Sequence, residues 1–199
     1  MNTPKNIEFS LPIPANDAME IVESKGIVAL HNFLPVELRE YALRELNIES
    51  SLVDDGDVSQ KRNLNRPFSF EYSGIWQAPS ASLAPPPLNV QGLAQHIAAY
   101  ANRAEAVSWN PSEIVGHEYQ QDDFLGNHLA YMGAIGHIAI ATLDGVQDFH
   151  AKLDDGSTAD VEMTPGTVLF IRGNQENGKV RPAHWVGRAK SHRIAVSVK

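Results

Sequence analysis

The feature that most constrains this 199-residue chain is a succession of short apolar or alternating segments that fills its C-terminal half. They run Ile114–Tyr119, His137–Leu143, Gln147–Leu153, Asp160–Met163, Thr167–Ile171 and Ile194–Val198, separated by turn residues. Segments this short, with turns between them, read as strands, and strands at this spacing form an antiparallel sandwich or barrel. The fold class expected is therefore mainly β, with flanking helices supplied by the other half.

The N-terminal half has the complementary pattern. Asn16 is placed to cap a short helix reaching Lys25 that Gly26 ends, and Gly26 to Leu34 reads as a mostly buried strand. A helix then starts at Pro35, with Leu38, Tyr41, Ala42 and Leu46 recurring at helical spacing and Glu37, Arg39, Glu40 and Arg44 on its wet side. Asn89 is placed to cap a longer helix whose stripe is Val90, Leu93, Ile97, Ala101 and Ala104 and which runs out near Trp109 to Pro111. Between these helices, from Asn47 to Pro87, polar stretches surround Phe68, Phe70, Tyr72 and Trp76. Long loops with short strands are expected there, either a substrate lid or a loosely ordered surface loop. The expectation is a single domain over 1–199, with 1–110 supplying supporting helices, a strand and lid-like loops and 111–199 the β core.

Composition narrows function. Sixteen Lys and Arg against 24 Asp and Glu give a net charge of −8, a field that disfavours a nucleic-acid partner and favours a small molecule. The chain has no Cys, which removes disulfides, thiolate nucleophiles and Cys-ligated metals and leaves His, Asp and Glu as the ligand types. The first residues, Met1 to Asn6, lack an apolar core, and the most apolar run, Gly133 to Leu143, is too short to span a bilayer and contains His137. A soluble, cytoplasmic protein with no membrane association is expected.

Of the eight His, His31 and His96 sit in scaffold segments, and His150 and His192 have no partner at ligand spacing. His128 and His184 fall at strand ends, where two imidazoles in the mouth of a small barrel could bind a divalent transition metal.

The segment Tyr119 to Ala130 resembles the first metal-ligand motif of the Fe(II)/2-oxoglutarate-dependent oxygenase superfamily, a strand ending in Tyr followed by a loop and His-X-Asp. Pro182 to Ser197 is similar to the second motif, a distal His followed by a strand-borne Arg. Gly136 to Gly145 and Thr164 to Phe170 resemble the strand and turn after the first motif and the turn and strand before the distal His. The match covers the last 90 or so residues in the family's order. The resemblance implies a double-stranded β-helix core and Fe(II), 2-oxoglutarate and O2 as cofactors. It also implies His128 and His184 as iron ligands and Arg193 as the anchor for the distal carboxylate of 2-oxoglutarate, with Tyr119 donating to the same carboxylate and Arg188 as a second possible anchor. A guanidinium suits that role because it is permanently charged and presents a flat fork matched to a carboxylate.

At one position the chain departs from the motif. Where the oxygenases carry the ligand Asp, this sequence has Ala130. Loss of that carboxylate opens a coordination position and makes the ligand set one unit more positive, so an anion such as chloride fits there. The 2-oxoglutarate-dependent halogenases resemble the chain at this point, and the resemblance then implies halogenation of an aliphatic C–H bond in place of hydroxylation. Three alternatives stand beside it: a hydroxylase whose ligand Asp has been replaced by Ala, a third ligand from Asp122, Asp123 or Asp144, and a non-catalytic binding domain of the same fold. Tyr131 and Trp185 are candidates to line the substrate pocket. Lys179, Arg181, Arg188, Lys190 and Arg193 form a local basic cluster that suits an anionic small substrate.

Overall fold

The structure is a computed structural model, and it describes residues 7–10, 13–46, 53–54, 64–69, 86–111, 113–128, 136–174 and 179–199; for 53–54, 64–69 and 128 only the backbone is described. Twelve strands and three helices are assigned among these residues. In chain order they are β1 (Glu8–Ser10), α1 (Ala15–Lys25), β2 (Ile27–His31), α2 (Val36–Glu45), β3 (Val53–Asp54), β4 (Leu64–Ser69), α3 (Leu88–Ala101), β5 (Glu113–Tyr119) and β6 (Leu125–His128). There follow β7 (His137–Asp144), β8 (Gln147–Lys152), β9 (Thr158–Met163), β10 (Val168–Arg172), β11 (His184–Val186) and β12 (Arg193–Val198).

The strands form two sheets, one of eight strands in the order β1-β2-β10-β7-β12-β5-β4-β3 and one of four in the order β6-β11-β8-β9. All pairings are antiparallel except β1 with β2. The expected mainly β architecture with flanking helices is present, but as two open sheets rather than a closed barrel. The N-terminal strand β2 pairs directly with β10, so residues from both halves of the chain build the large sheet.

Strand alternation explains the layering. Val28 and Leu30 of β2, Val168 and Phe170 of β10, and Val196 and Val198 of β12 pack with Met19, Val22, Leu93 and Ile97 of the helices. The intervening residues Ile27, Ala29, Leu169 and Ile171 pack instead with Phe149, Ala151, Val161 and Val186 of the small sheet. Strands β2 and β10 are thus covered on both faces, which is why they read as unbroken apolar runs. The small sheet has one wet face: β9 alternates strictly between exposed and buried residues.

Several local expectations change. Neither Asn16 nor Asn89 caps a helix; Pro14 and Pro87 occupy those positions, without a side-chain cap. Asn16 Oδ1 accepts from the Glu105 amide, and Asn89 donates through its backbone N and Nδ2 to the Glu45 carboxylate at 2.7 and 2.6 Å, tying α3 to the end of α2. Gly26 does end α1, at φ 100°, donating its amide to the Val22 carbonyl. The third helix stops at Ala101, short of Trp109, because the Asn102 side chain pairs with both the N–H and the carbonyl of Trp109. Asp144-Gly145 is not a hairpin turn: β7 and β8 belong to different sheets, and this corner carries the chain from one to the other. A Cβ on Gly145 would lie 2.1 Å from the His192 carbonyl and 2.7 Å from Arg193 Cα, so only glycine lets the corner close against β12.

Arg172 ends β10 fully buried and clasps Asp154 with both Nη atoms at 2.7 Å while also donating to the Glu23 and Val180 carbonyls. The hydrogen-bonded guanidinium holds the Asp154 carboxyl below the usual carboxylate range. A depressed pKa stabilises the fold above the unfolded value and withdraws that support as pH falls through the folded one. Asp154→Asn is expected to cost about 2 kcal/mol at neutral pH in urea denaturation, with the gap to wild type narrowing towards acid pH.

Candidate functional site

The inner faces of the two sheets bring together three of the residues that the sequence singles out, His184, Arg193 and Tyr119. On the small sheet, β6 and β11 pair with His128 directly opposite His184. His184 is 4% exposed, and its Nδ1 lies 2.9 Å from the Pro182 carbonyl. A carbonyl can only accept, so Nδ1 carries a proton, which in the neutral ring leaves the lone pair on Nε2, the tautomer in which a metal-binding imidazole is normally held. Phe149 of β8 lies against the ring, with centroids 5.4 Å apart and planes 23° from parallel. The His128 side chain, Ala130 and Tyr131 lie outside the described residues. Among the described residues no cluster of three or more His, Asp or Glu is placed to hold a metal ion.

On the large sheet, Arg193 opens β12 opposite Tyr119, the last residue of β5. Arg193 is 2% exposed, with Nη1 donating to Gln147 Oε1 at 3.0 Å and Nη2 to Thr142 Oγ1 at 2.9 Å. Its guanidinium carbon sits 5.4 Å from the centroid of the buried Tyr119 ring. These neighbours are all neutral, and Nε has no hydrogen-bond partner. Among the described residues no carboxylate pairs with Arg193. Burial pulls its pKa down to about 10, with Tyr119 opposing, and the side chain remains a cation at neutral pH. A buried guanidinium without an anion is costly unless something supplies one.

Strand β8 links the two centres. Gln147, Phe149 and Ala151 share its inner face; Gln147 touches Arg193 and Phe149 touches His184. Two residues along a strand span about 7 Å, so the cation and the imidazole lie at neighbouring stations in the same inter-sheet space.

The other candidates are placed elsewhere. Arg188 is exposed, with its guanidinium over the Phe124 ring and Nη1 directed to the Asp122 carbonyl at 3.4 Å. Trp185 lies on the opposite face of β11 from His184, stacked on His150 at 5.1 Å, because neighbouring residues of a strand point to opposite sides. His150 pairs there with Asp160, and Lys190 with Asp148 and Glu162, so part of the basic cluster is spent on the outer surface. Of the carboxylates near the first motif, Asp123 is buried but accepts from the Gln120 amide, closing the turn, while Asp122 and Asp144 are exposed. His31 bridges Glu8 and Thr167, His96 meets Phe33 edge-on, and His192 pairs with Glu118.

Sequence reasoning missed Gln147 and Thr142. The available signal was parity: each is a polar residue on the side of its strand that carries apolar neighbours, Phe149 and Ala151 in one case and Ile138 and Ile140 in the other.

No protein-family model matches the sequence, and no curated protein matches it. Solved structures do share the architecture. A Pseudomonas putida prolyl-4-hydroxylase superposes with a TM-score of 0.64 at 17% identity, covering 92% of this chain and 96% of that one. An oxidoreductase of the 2OG-Fe(II) oxygenase family from Burkholderia pseudomallei gives 0.68 at 13% identity, covering 97% and 93%. A Trichoplax adhaerens prolyl hydroxylase in complex with a hypoxia inducible factor peptide fragment gives 0.68 at 10% identity, covering 92% and 87%. Likeness at these identities concerns the backbone, and it establishes that the chain has the double-stranded β-helix fold of the 2OG-Fe(II) oxygenases.

Proposed function

We propose that the protein is an Fe(II)/2-oxoglutarate-dependent enzyme that oxidises an aliphatic C–H bond of a small molecule. The observation that carries this reading is Arg193, a buried cation held by neutral partners and facing the same inter-sheet space as His184. The residues fit the implied cofactors. His184 presents Nε2 as its basic nitrogen and His128 is its cross-strand partner, which makes these two the residues that would hold iron. Iron with 2-oxoglutarate and O2 supplies the oxidising chemistry; the chain supplies position and charge.

Arg193 would receive the distal carboxylate of 2-oxoglutarate, and that carboxylate would supply the negative charge its neutral neighbours lack. Thr142 and Gln147 fix the plane of the guanidinium, so the fork is oriented before the carboxylate arrives. Tyr119 walls the cation on one side. Phe149 covers the His184 ring and keeps water from it. The net charge of −8 supports a small-molecule substrate over a polyanion.

Ala130 sets the outcome within this reading. A ligand set of His128 and His184 without the carboxylate would leave room for an exogenous anion, and chloride held there would supply the halogen for halogenation in place of hydroxylation. Ala130→Asp is expected to remove chloride dependence and shift the product to hydroxylation, read by product mass. A native reaction indifferent to chloride would instead identify a hydroxylase whose ligand has been replaced.

Two substitutions test the site. His184→Ala should abolish stoichiometric Fe(II) binding in anaerobic equilibrium dialysis, and retention of iron would overturn the ligand assignment. Arg193→Met should weaken 2-oxoglutarate binding by about 100-fold or more, the scale of losing one partner of a buried charge pair. Unchanged binding would move the anchor elsewhere.

A further inference from the structure

Gln147 opens β8 with its side chain fully buried and every polar atom of its amide engaged. Nε2 donates to the Gly187 carbonyl at 2.6 Å and to the Asp123 carbonyl at 3.2 Å. Both oxygens can only accept, so the amide nitrogen has to face them and Oε1 has to face Arg193. The orientation of the amide is therefore dictated by main chain, and the acceptor offered to Arg193 is a neutral one.

The two carbonyls belong to informative places. Gly187 directly follows β11, which carries His184, and Asp123 ends the turn that leads into β6, which carries His128. The turn and the segment after β11 are themselves joined, since the Asp122 amide donates to the Ala189 carbonyl and the Ala189 amide to the Asp123 carbonyl. Gln147 thus ties the cation on the large sheet to the roots of both histidine strands on the small one.

We infer that Gln147 is a specificity-determining positioning residue: its neutral amide orients the Arg193 fork without cancelling the charge, which reserves the cation for a carboxylate arriving with the cosubstrate. This rests on the reading of Arg193 as the 2-oxoglutarate anchor. A Glu at the same position has nearly the same shape, yet it would give Arg193 an internal counter-ion and close the anion seat from within. A Leu would remove the acceptor and leave the charge uncompensated. The two substitutions therefore differ in their effect on anion binding, Glu occupying the seat and Leu leaving it open, a contrast that a purely structural role for Gln147 would not produce.

The test is anaerobic isothermal titration of the Fe(II)-loaded protein with 2-oxoglutarate and with pyruvate, which carries the same keto acid but no distal carboxylate. Wild type, Gln147→Glu and Gln147→Leu are compared, with thermal unfolding recorded for each. Wild type is expected to prefer 2-oxoglutarate; Gln147→Glu should lose about 100-fold in 2-oxoglutarate affinity with little change for pyruvate, and Gln147→Leu should keep the preference. Gln147→Glu binding 2-oxoglutarate as wild type does would overturn the inference and leave the Arg193 reading standing. Equal losses for both ligands in both variants would also overturn it, marking Gln147 as structural. A wild type without preference between the two ligands would fail the Arg193 reading itself, and the inference with it.

Discussion

A buried positive charge with no negative partner among the described residues is the constraint around which the site is organised. Arg193 emerges from the first position of β12 into the space between the sheets and meets an amide, a hydroxyl and an aromatic ring. In a low-dielectric interior such a cation destabilises the fold unless its charge is met, a cost that an anion seated beside it would offset. The contrast with Arg172 is instructive. Both guanidinium groups are buried, but Arg172 is clasped by Asp154 and ties three segments together. One arginine is met by a carboxylate of the fold; the other has only neutral neighbours among the described residues.

The layering makes this arrangement possible. Helices cover one face of the large sheet and the small sheet covers part of the other, so β2 and β10 are dry on both sides. That region provides rigidity. Towards β5 and β12 the inner face turns polar, with Tyr119, Thr142, Arg193 and the His117–Ser197 pair in place of apolar contacts. The Gly145 corner brings Thr142, near the end of β7, and Gln147, at the start of β8, to the two sides of the same guanidinium. A turn that looks like an ordinary Asp-Gly hairpin in sequence is the hinge point between the sheets.

Much of this was legible in the residues. Seven of the strands, β2, β5, β7, β8, β9, β10 and β12, follow from apolar or alternating runs between turn residues, and the two-faced burial of β2 and β10 explains why those two read as unbroken apolar runs. The order of the motifs pointed to the fold and to His184 and Arg193. Other features were hidden for physical reasons. The caps assigned to Asn16 and Asn89 failed because each side chain reaches a distant partner, Glu105 or Glu45, and tertiary partners are invisible to local propensity. Trp185 reads as a pocket residue by its adjacency to His184, yet strand parity turns it to the outer face against His150. Arg188 and Arg193 are indistinguishable as residue types, and only burial separates the exposed one from the enclosed one. β6 and β11 were not evident as strands because each is short; only their pairing places His128 opposite His184.

The central proposal is that His184 and its cross-strand partner His128 would hold a metal ion beside an anion seat for a keto acid at Arg193. The most direct measurement is an anaerobic absorbance titration of the metal-free protein with Fe(II) and then 2-oxoglutarate, with and without chloride. The account predicts a visible charge-transfer band that appears only when both are present and strengthens with chloride. Absence of any band at saturating iron and 2-oxoglutarate would contradict it and leave a double-stranded β-helix that binds without this chemistry.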